Sequence, residues 1–248
     1  SNGNGFKAVT AGQLFERVSN IVQREEQVQD AQLGRNDVDV IVGTAKFKDP
    51  HELLITSSQG ERTASAKNIM IAVGTRPATP PDTQLDGERI ITSDEIFNLD
   101  ELPHSMVVIG CGVVGIEYAS MFALLGVEVT VVDGRGTPLE FLDREIVDEL
   151  VHQMRAINVV FRLGETVERV ETRDAARGRV VVSLESGKRL VADVALVCAG
   201  RAGNTHSLNL QAAKLTPDER GRLTVDDTYR TKQKHIFAGG DVIGFPAL

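Results

Sequence analysis

Tryptophan is missing from this 248-residue chain, aromatic residues make up only 4% of it, and it has two cysteines. The thin aromatic content gives no sign of a specific macromolecular partner. Cys111 and Cys198 lie far apart, each beside an apolar strand, and neither belongs to a CxxC or CxxxxC pair. That spacing excludes a redox dithiol and a zinc site within this stretch, and leaves two small core thiols in a reducing cytoplasm. An excess of basic charge is also lacking. With 27 Lys and Arg against 35 Asp and Glu, the net charge is −8, which argues against a nucleic-acid footprint or a polybasic membrane patch. No apolar run approaches the roughly twenty residues needed to span a bilayer, so no membrane partner is expected. Residues 1–5 are polar and glycine-rich, unlike a secretory leader, and are set aside from fold reasoning. None of the five histidines sits in a ligand-like cluster, so no metal is expected; His51, beside Pro50, reads as a turn residue.

What the chain does have is aliphatic periodicity. Leu14, Val18, Ile21, Val22 and Val28 recur at helical spacing and predict an amphipathic helix over residues 11–33, ending near Gly34. The apolar runs "VDVIVG", "AKFKD", "ELLITSS" and "NIMIAVG" follow, with "SQG" as a turn. They read as a strand, a small β-meander and a buried strand that stops at Gly74. The prolines of "TRPATPPDTQ" break regular structure, and "TSDEIFNLDELP" predicts a short helix capped by Ser93. A domain boundary is placed here. Beyond it, "SMVVIGCGVVGIEYAS" reads as strand, glycine turn and helix (residues 113–125), and "VEVTVVD" as the next strand. Asp143 is the expected cap of a further helix with Ile146, Val147, Leu150, Val151 and Met154 on one face. "NVVF", a second meander and the buried strand "VALVCAG" complete the pattern, which stops at Gly200.

The two halves share an order: strand, meander, buried strand, glycine. "NIMIAVGTRP" and "VALVCAGRAG" occupy matching places. The fold expected is therefore α/β, with two Rossmann-like dinucleotide-binding domains, each carrying an inserted β-meander, and the first one incomplete. The second copy has strand-turn-helix-strand in front of it; in the first that unit is expected to have been cut away. The boundaries expected are 1–103 for a partial first domain, 104–231 for the complete one, and 232–248 for a segment returning to the first.

Gly110, Gly112 and Gly115 form GxGxxG between a strand and a helix, the context the motif requires. Gly110 permits the tight turn, Gly112 lets backbone approach a pyrophosphate, and Gly115 lets helix pack on strand. The phosphates then face helix N–H groups at the positive end of the dipole. Asp133 ends the following strand at about the spacing of the acid that binds the adenine ribose, which favours NAD. Arg135, two residues on, is either a solvated loop cation or the partner of a 2′-phosphate, so NADP stays open. Glu117, just past the third glycine, is either a favourable charge in an early helical turn or a contact to the nicotinamide end.

"GCGVVGIEYASMFALLGVEVTVVD", "AGRAGNT" and "TKQKHIFAGGDV" together resemble the flavoprotein disulfide-reductase family with two dinucleotide-binding domains. The likeness extends through "GTAKFKDPHELLI", "AVGTRPATPP" and "SDEIF". Within the family, Gly203 in "GRAGNT", where most members have proline, and the ending "GDVIGFPAL" resemble the transhydrogenase branch. The resemblance implies a parent nearly twice as long, with an FAD domain, an inserted NAD(P) domain and a C-terminal dimerisation domain. It implies hydride transfer between NADPH and NAD via FAD, with no catalytic side chain, in a cytoplasmic homodimer or larger homo-oligomer that takes only small nucleotides as partners.

By the same resemblance, Gly110, Gly112, Val113, Val114, Gly115, Glu117, Asp133, Gly200 and Arg201 surround NAD(P); Arg135 joins them on its position beside Asp133 alone. Ala45, Ala72, Gly74, Thr75 and Asp241 serve FAD. An acid directly after a buried strand and two glycines also suits the ligand-binding end of a sheet, which supports Asp241 independently, though it could equally cap the next helix. Arg201 could equally form a surface ion pair. The chain as given is expected to bind NAD(H) and to turn over nothing. The alternatives are a disulfide oxidoreductase like dihydrolipoamide dehydrogenase or mercuric reductase, whose CxxxxC would lie upstream, and a non-enzymatic NAD-sensing module.

Overall fold

The computed structural model describes residues 11–80, 83–173 and 178–244. The expected absence of a leader at residues 1–5 and the last four residues of "GDVIGFPAL" fall outside the described residues. In chain order, helix α1 (Ala11–Arg35) leads to strands β1 (Thr44–Phe47), β2 (Glu52–Ser57), β3 (Gly60–Ser65), β4 (Ile69–Ile71) and β5 (Thr75–Pro77). Strands β6 (Ile90–Thr92) and β7 (Ser105–Ile109) precede helix α2 (Val113–Leu124), β8 (Glu128–Asp133) and helix α3 (Arg144–Ala156). Then come β9 (Val160–Leu163), β10 (Val167–Arg173), β11 (Arg179–Leu184), β12 (Arg189–Ala192) and β13 (Val194–Val197). Strands β14 (Arg201–Gly203) and β15 (Ile236–Ala238) close the sequence of strands. No helix among the described residues is long and apolar enough to cross a membrane.

The chain divides into two compact units, residues 1–26 with 77–200 and residues 27–76 with 201–248. The first is built on a five-stranded parallel sheet of order β6-β13-β7-β8-β9. Near-continuous runs of Val and Ile make these strands because both faces are covered. Met106 and Val108 point to one side, into a cluster with Ile116, Phe122, Val147 and Met154 of the two helices. Val107 and Ile109 point to the other, against Val180, Val182 and Leu184 of the meander β10-β11-β12. A one-residue shift of β7 would exchange the two faces.

Helix α3 starts where expected: the Asp143 side chain accepts the Glu145 amide at 3.0 Å. Val147, Val151 and Met154 are buried as expected, but Ile146 stands 64% exposed. One residue before Val147, it lies about 100° away around the helix, off the inward stripe.

The second unit has an antiparallel meander β1-β2-β3 and two two-stranded sheets, β4 with β15 in parallel and β5 with β14. Its core gathers Phe47, Ile69, Ile71, Leu210, Leu223 and Ile236. His51 and His235 stack with ring centroids 3.9 Å apart and 12° between planes. Their nitrogens donate to the carbonyls of Ala66 at 3.1 Å and Pro50 at 2.8 Å. His51 thus joins a ring pair, which its turn position did not signal.

Four expectations give way. The boundary at residue 103 moves to 76/77, because β6 pairs in parallel with β13 and belongs to the five-stranded sheet. Residues 201–231 pack in the second unit, where Leu210, Leu215 and Leu223 fill its core. The run at residues 38–42 forms no strand, and Val38, Val40, Ile41 and Val42 are exposed. Ser93 caps no helix: a single 3-10 turn, Ile96–Asn98, has no side-chain cap. Glu95 instead accepts the Thr92 amide at 2.8 Å and the Thr92 hydroxyl at 2.5 Å.

Candidate functional site

The glycine loop lies where β7 passes into α2, at the carboxyl end of the parallel sheet, where α/β folds bind ligands. Its three glycines answer to different demands. A Cβ on Gly115 would strike the Gly110 carbonyl, and one on Gly110 would strike the Cys198 carbonyl. Protein packing explains both. Gly112 has ordinary extended backbone, φ −74°, and a Cβ there would meet nothing within 4 Å. Among the described residues, no contact requires glycine at this position; the space beside it suits a close-approaching ligand. Gly112 is also the N-cap of α2 and makes no side-chain cap bond. The first-turn amides of such a helix have no intrahelical partners and favour an anion.

Asp133 ends β8 and is 9% exposed. Its Oδ2 accepts the Cys111 amide at 2.7 Å, which ties the carboxylate to the residue between the first two glycines. Arg135 forks onto the same carboxylate, with Nε to Oδ1 at 3.0 Å and Nη2 to Oδ2 at 2.7 Å, and its amide reaches Oδ1 at 2.8 Å. Burial alone would raise the Asp133 carboxyl. The Arg135 side chain and the two amides outweigh it and hold the group well below the usual carboxylate range. Burial, reinforced by the neighbouring Asp133, pushes the Cys111 thiol up to about 12. Burial does the same to Cys198, also up to about 12. Neither thiol is poised as a nucleophile.

Among the expected NAD(P) residues, the first unit gathers Gly110, Gly112, Val113, Val114, Gly115, Glu117, Asp133 and Arg135 around the β7–α2 and β8 ends, and Gly200 follows β13. Glu117 and Val113 are exposed on α2, while Val114 is half-buried. Arg201 falls in the second unit. There its Nε donates to Thr75 Oγ1 at 2.6 Å and its Nη2 to the Thr75 carbonyl at 2.9 Å.

Among the expected FAD residues, Ala72 follows β4, and Asp241, half-buried, follows β15. These strands are parallel partners, with Ala238 opposite Ile71, so both residues lie at one sheet end. Gly74, at φ +62°, and Thr75 continue from there. Ala45 lies apart on the meander, opposite Ile55.

Sequence reasoning missed the fork between Asp133 and Arg135, although the D-x-R spacing at a strand end was its available signal. It noticed Gly203 without its cause. The Gly203 amide donates to the Arg220 carbonyl at 2.7 Å, and a Cβ would strike the Gly221 carbonyl. A proline could supply neither the donor nor the space.

A family model described as pyridine nucleotide-disulphide oxidoreductase matches residues 5–248. The chain is 46% identical over 242 residues to a soluble pyridine nucleotide transhydrogenase of Mycobacterium bovis, covering 97% of this chain and 51% of that protein. It is 42% identical over 235 residues to the protein of that name from Marinobacter nauticus, covering 95% and 50%. The chain thus spans about half the length of these relatives. Among solved structures, LpdA from Mycobacterium tuberculosis is similar with a TM-score of 0.89 at 29% identity, over 98% of this chain and 54% of that one. The HOCl-induced flavoprotein disulfide reductase RclA from Escherichia coli is similar with a TM-score of 0.85 at 30% identity, over 94% and 53%.

Proposed function

The chain belongs to the pyridine nucleotide-disulphide oxidoreductase family, and from that premise we propose that it is part of a flavoprotein passing hydride between NADPH and NAD by way of FAD. One observation carries the nucleotide reading: Gly112 is a glycine that no atom of the described residues demands, at a helix N-terminus without a side-chain cap, with a buried acid tied to the same loop. The loop amides would hold the diphosphate of NAD(P), and Asp133 with Arg135 would meet its adenosine. Ala72, Gly74, Thr75 and Asp241 would line the side of the second unit that serves FAD, with Ala45 contributing backbone. FAD, when bound, supplies a centre able to take up and return a hydride. The protein's own residues then align the nucleotide and exclude water.

The transhydrogenase reading draws on the name of the relatives at 42–46% identity and on Gly203, whose amide bond to Arg220 suits a residue other than proline. A disulfide-reductase reading is favoured by the likeness to RclA, at 30% identity. Part of the protein beyond this chain would explain why Val28, Leu33, Val40 and Val42 lie exposed on the second unit. The family resemblance supports a homodimer or larger homo-oligomer, and the net charge of −8 supports small nucleotides rather than nucleic acid as its ligands. Two free cysteines suit a reducing, cytoplasmic location.

The test uses the purified native protein. It is expected to carry flavin absorbance and to move hydride from NADPH to thio-NAD without a dithiol substrate. Flavin-free protein, or turnover seen only with a disulfide, would contradict the proposal.

A further inference from the structure

In the second unit the chain leaves β4 at Ile71 and passes through Gly74, at φ +62°, into β5. Thr75, the first residue of β5, is half-buried. The Arg201 guanidinium holds it twice: Nε donates to Oγ1 at 2.6 Å, and Nη2 donates to the carbonyl at 2.9 Å. The neighbouring backbone is secured by other bonds. The Asn204 amide donates to the Gly74 carbonyl at 3.1 Å, and the Gly203 amide donates to the Arg220 carbonyl at 2.7 Å. Backbone pairing accounts for the course of β5 and β14. It does not account for the bond to the Thr75 hydroxyl.

A threonine hydroxyl has one hydrogen to give and two lone pairs to receive, whereas a guanidinium only donates. Arg201 therefore occupies a lone pair and turns the hydroxyl hydrogen away from itself. Among the described residues, no acceptor takes that hydrogen. A bond received from a cation also polarises the hydroxyl and makes it a stronger donor. The result is a donor whose direction the protein sets and whose partner it does not supply. It lies on the stretch that continues from the β4 end, where Ala72 sits and where the paired β15 leads to Asp241.

We propose that Arg201 is a positioning residue for the flavin cofactor: it fixes the Thr75 hydroxyl as a directed donor to an acceptor oxygen or nitrogen of FAD. This rests on the reading of that sheet end as the FAD side. It takes Arg201 out of the NAD(P) group in which the family resemblance sets it. Arg201 acts through Thr75 and not on the cofactor itself.

A double-mutant cycle tests this in the native protein, stripped of flavin and titrated with FAD, with the visible band of the bound flavin as a second readout and no turnover. Thr75→Val keeps the shape and removes the hydroxyl. It should weaken FAD by about tenfold, the scale of one hydrogen bond, and shift the flavin band. Arg201→Ala should weaken FAD by roughly three- to tenfold and shift the band in the same direction. In the Thr75→Val background, Arg201→Ala should add less than about twofold, because residues that act as one unit are not additive. Arg201→Lys retains a donor for the hydroxyl and should recover part of the affinity and of the band position. It also serves as the test should the alanine variant misfold. A residue with a purely structural role would weaken FAD by the same factor in both backgrounds. That result overturns the proposal, as does unchanged FAD affinity in either single variant. Wild-type protein that takes up no FAD overturns the flavin reading itself, and the proposal with it.

Discussion

The two units bring a parallel strand to an end and continue it differently. In the first, β7 passes through the glycine turn into α2, a 12-residue helix, and then into β8, which ends in a buried acid. In the second, β4 stops at Ile71, turns at Gly74 and continues extended as β5. A strand followed by glycine makes a sheet end that can be lined by a ligand. A diphosphate asks for more: a helix whose free amides and dipole meet it, and backbone able to come close. The first unit has both within itself. Among the described residues of the second, the sheet end carries Ala72 and a four-residue 3-10 helix, Gly240–Ile243, that includes Asp241, but no α-helix follows either strand.

Substitutions at the two turns should separate these cases, and the largest effect belongs to Gly115→Val. Its side chain would be driven into the Gly110 carbonyl, so unfolding of the first unit by urea should show a loss of about 3 kcal/mol or more, together with loss of NADH binding. Gly74→Ala in the second unit meets no neighbour. It should cost only the roughly 1–2 kcal/mol of a positive φ. Similar costs at the two sites would erase the distinction.

Gly203→Pro comes next. It removes the donor to Arg220 and crowds Gly221. A loss of roughly 3 kcal/mol is expected in urea unfolding of the second unit, while NADH binding by the first unit persists. Acid should then distinguish the units through Asp133. Its pKa is lowered on folding, so its stabilisation is present above about pH 4, the unfolded carboxyl range. That stabilisation fades as pH falls through the lower folded value. Asp133→Asn should flatten the acid limb of the stability curve of the first unit below about pH 4, as followed by circular dichroism.

The smallest effect is chemical. With both thiols pushed up to about 12, Cys111 and Cys198 should react with a disulfide reagent at pH 8 at least about a hundredfold slower than a free thiol until the protein is unfolded.

Strand, turn and helix at residues 105–124 were legible because each signal is local: apolar run, glycine spacing, helical period. The cap at Asp143 was legible for the same reason. The edge strand β6 was not, since three residues carry no readable period and its partner β13 lies about a hundred positions on. The run at residues 38–42 misled because an apolar stretch specifies a strand only where a partner exists to pair with it. Of the site, the chain of glycines and the acid could be read directly. The fork of Arg135 on Asp133 is a matter of side-chain rotamers, which spacing suggests but does not determine.

The central claim is that the open space beside Gly112 is where a coenzyme diphosphate sits. Gly112→Ala in the native protein, followed by both thermal unfolding and NADH titration, tests it most directly. Since the backbone there is ordinary and a Cβ meets nothing, stability should hold within about 1 kcal/mol, while NADH affinity falls at least about tenfold. NADH bound as tightly as by the wild-type protein would contradict the account.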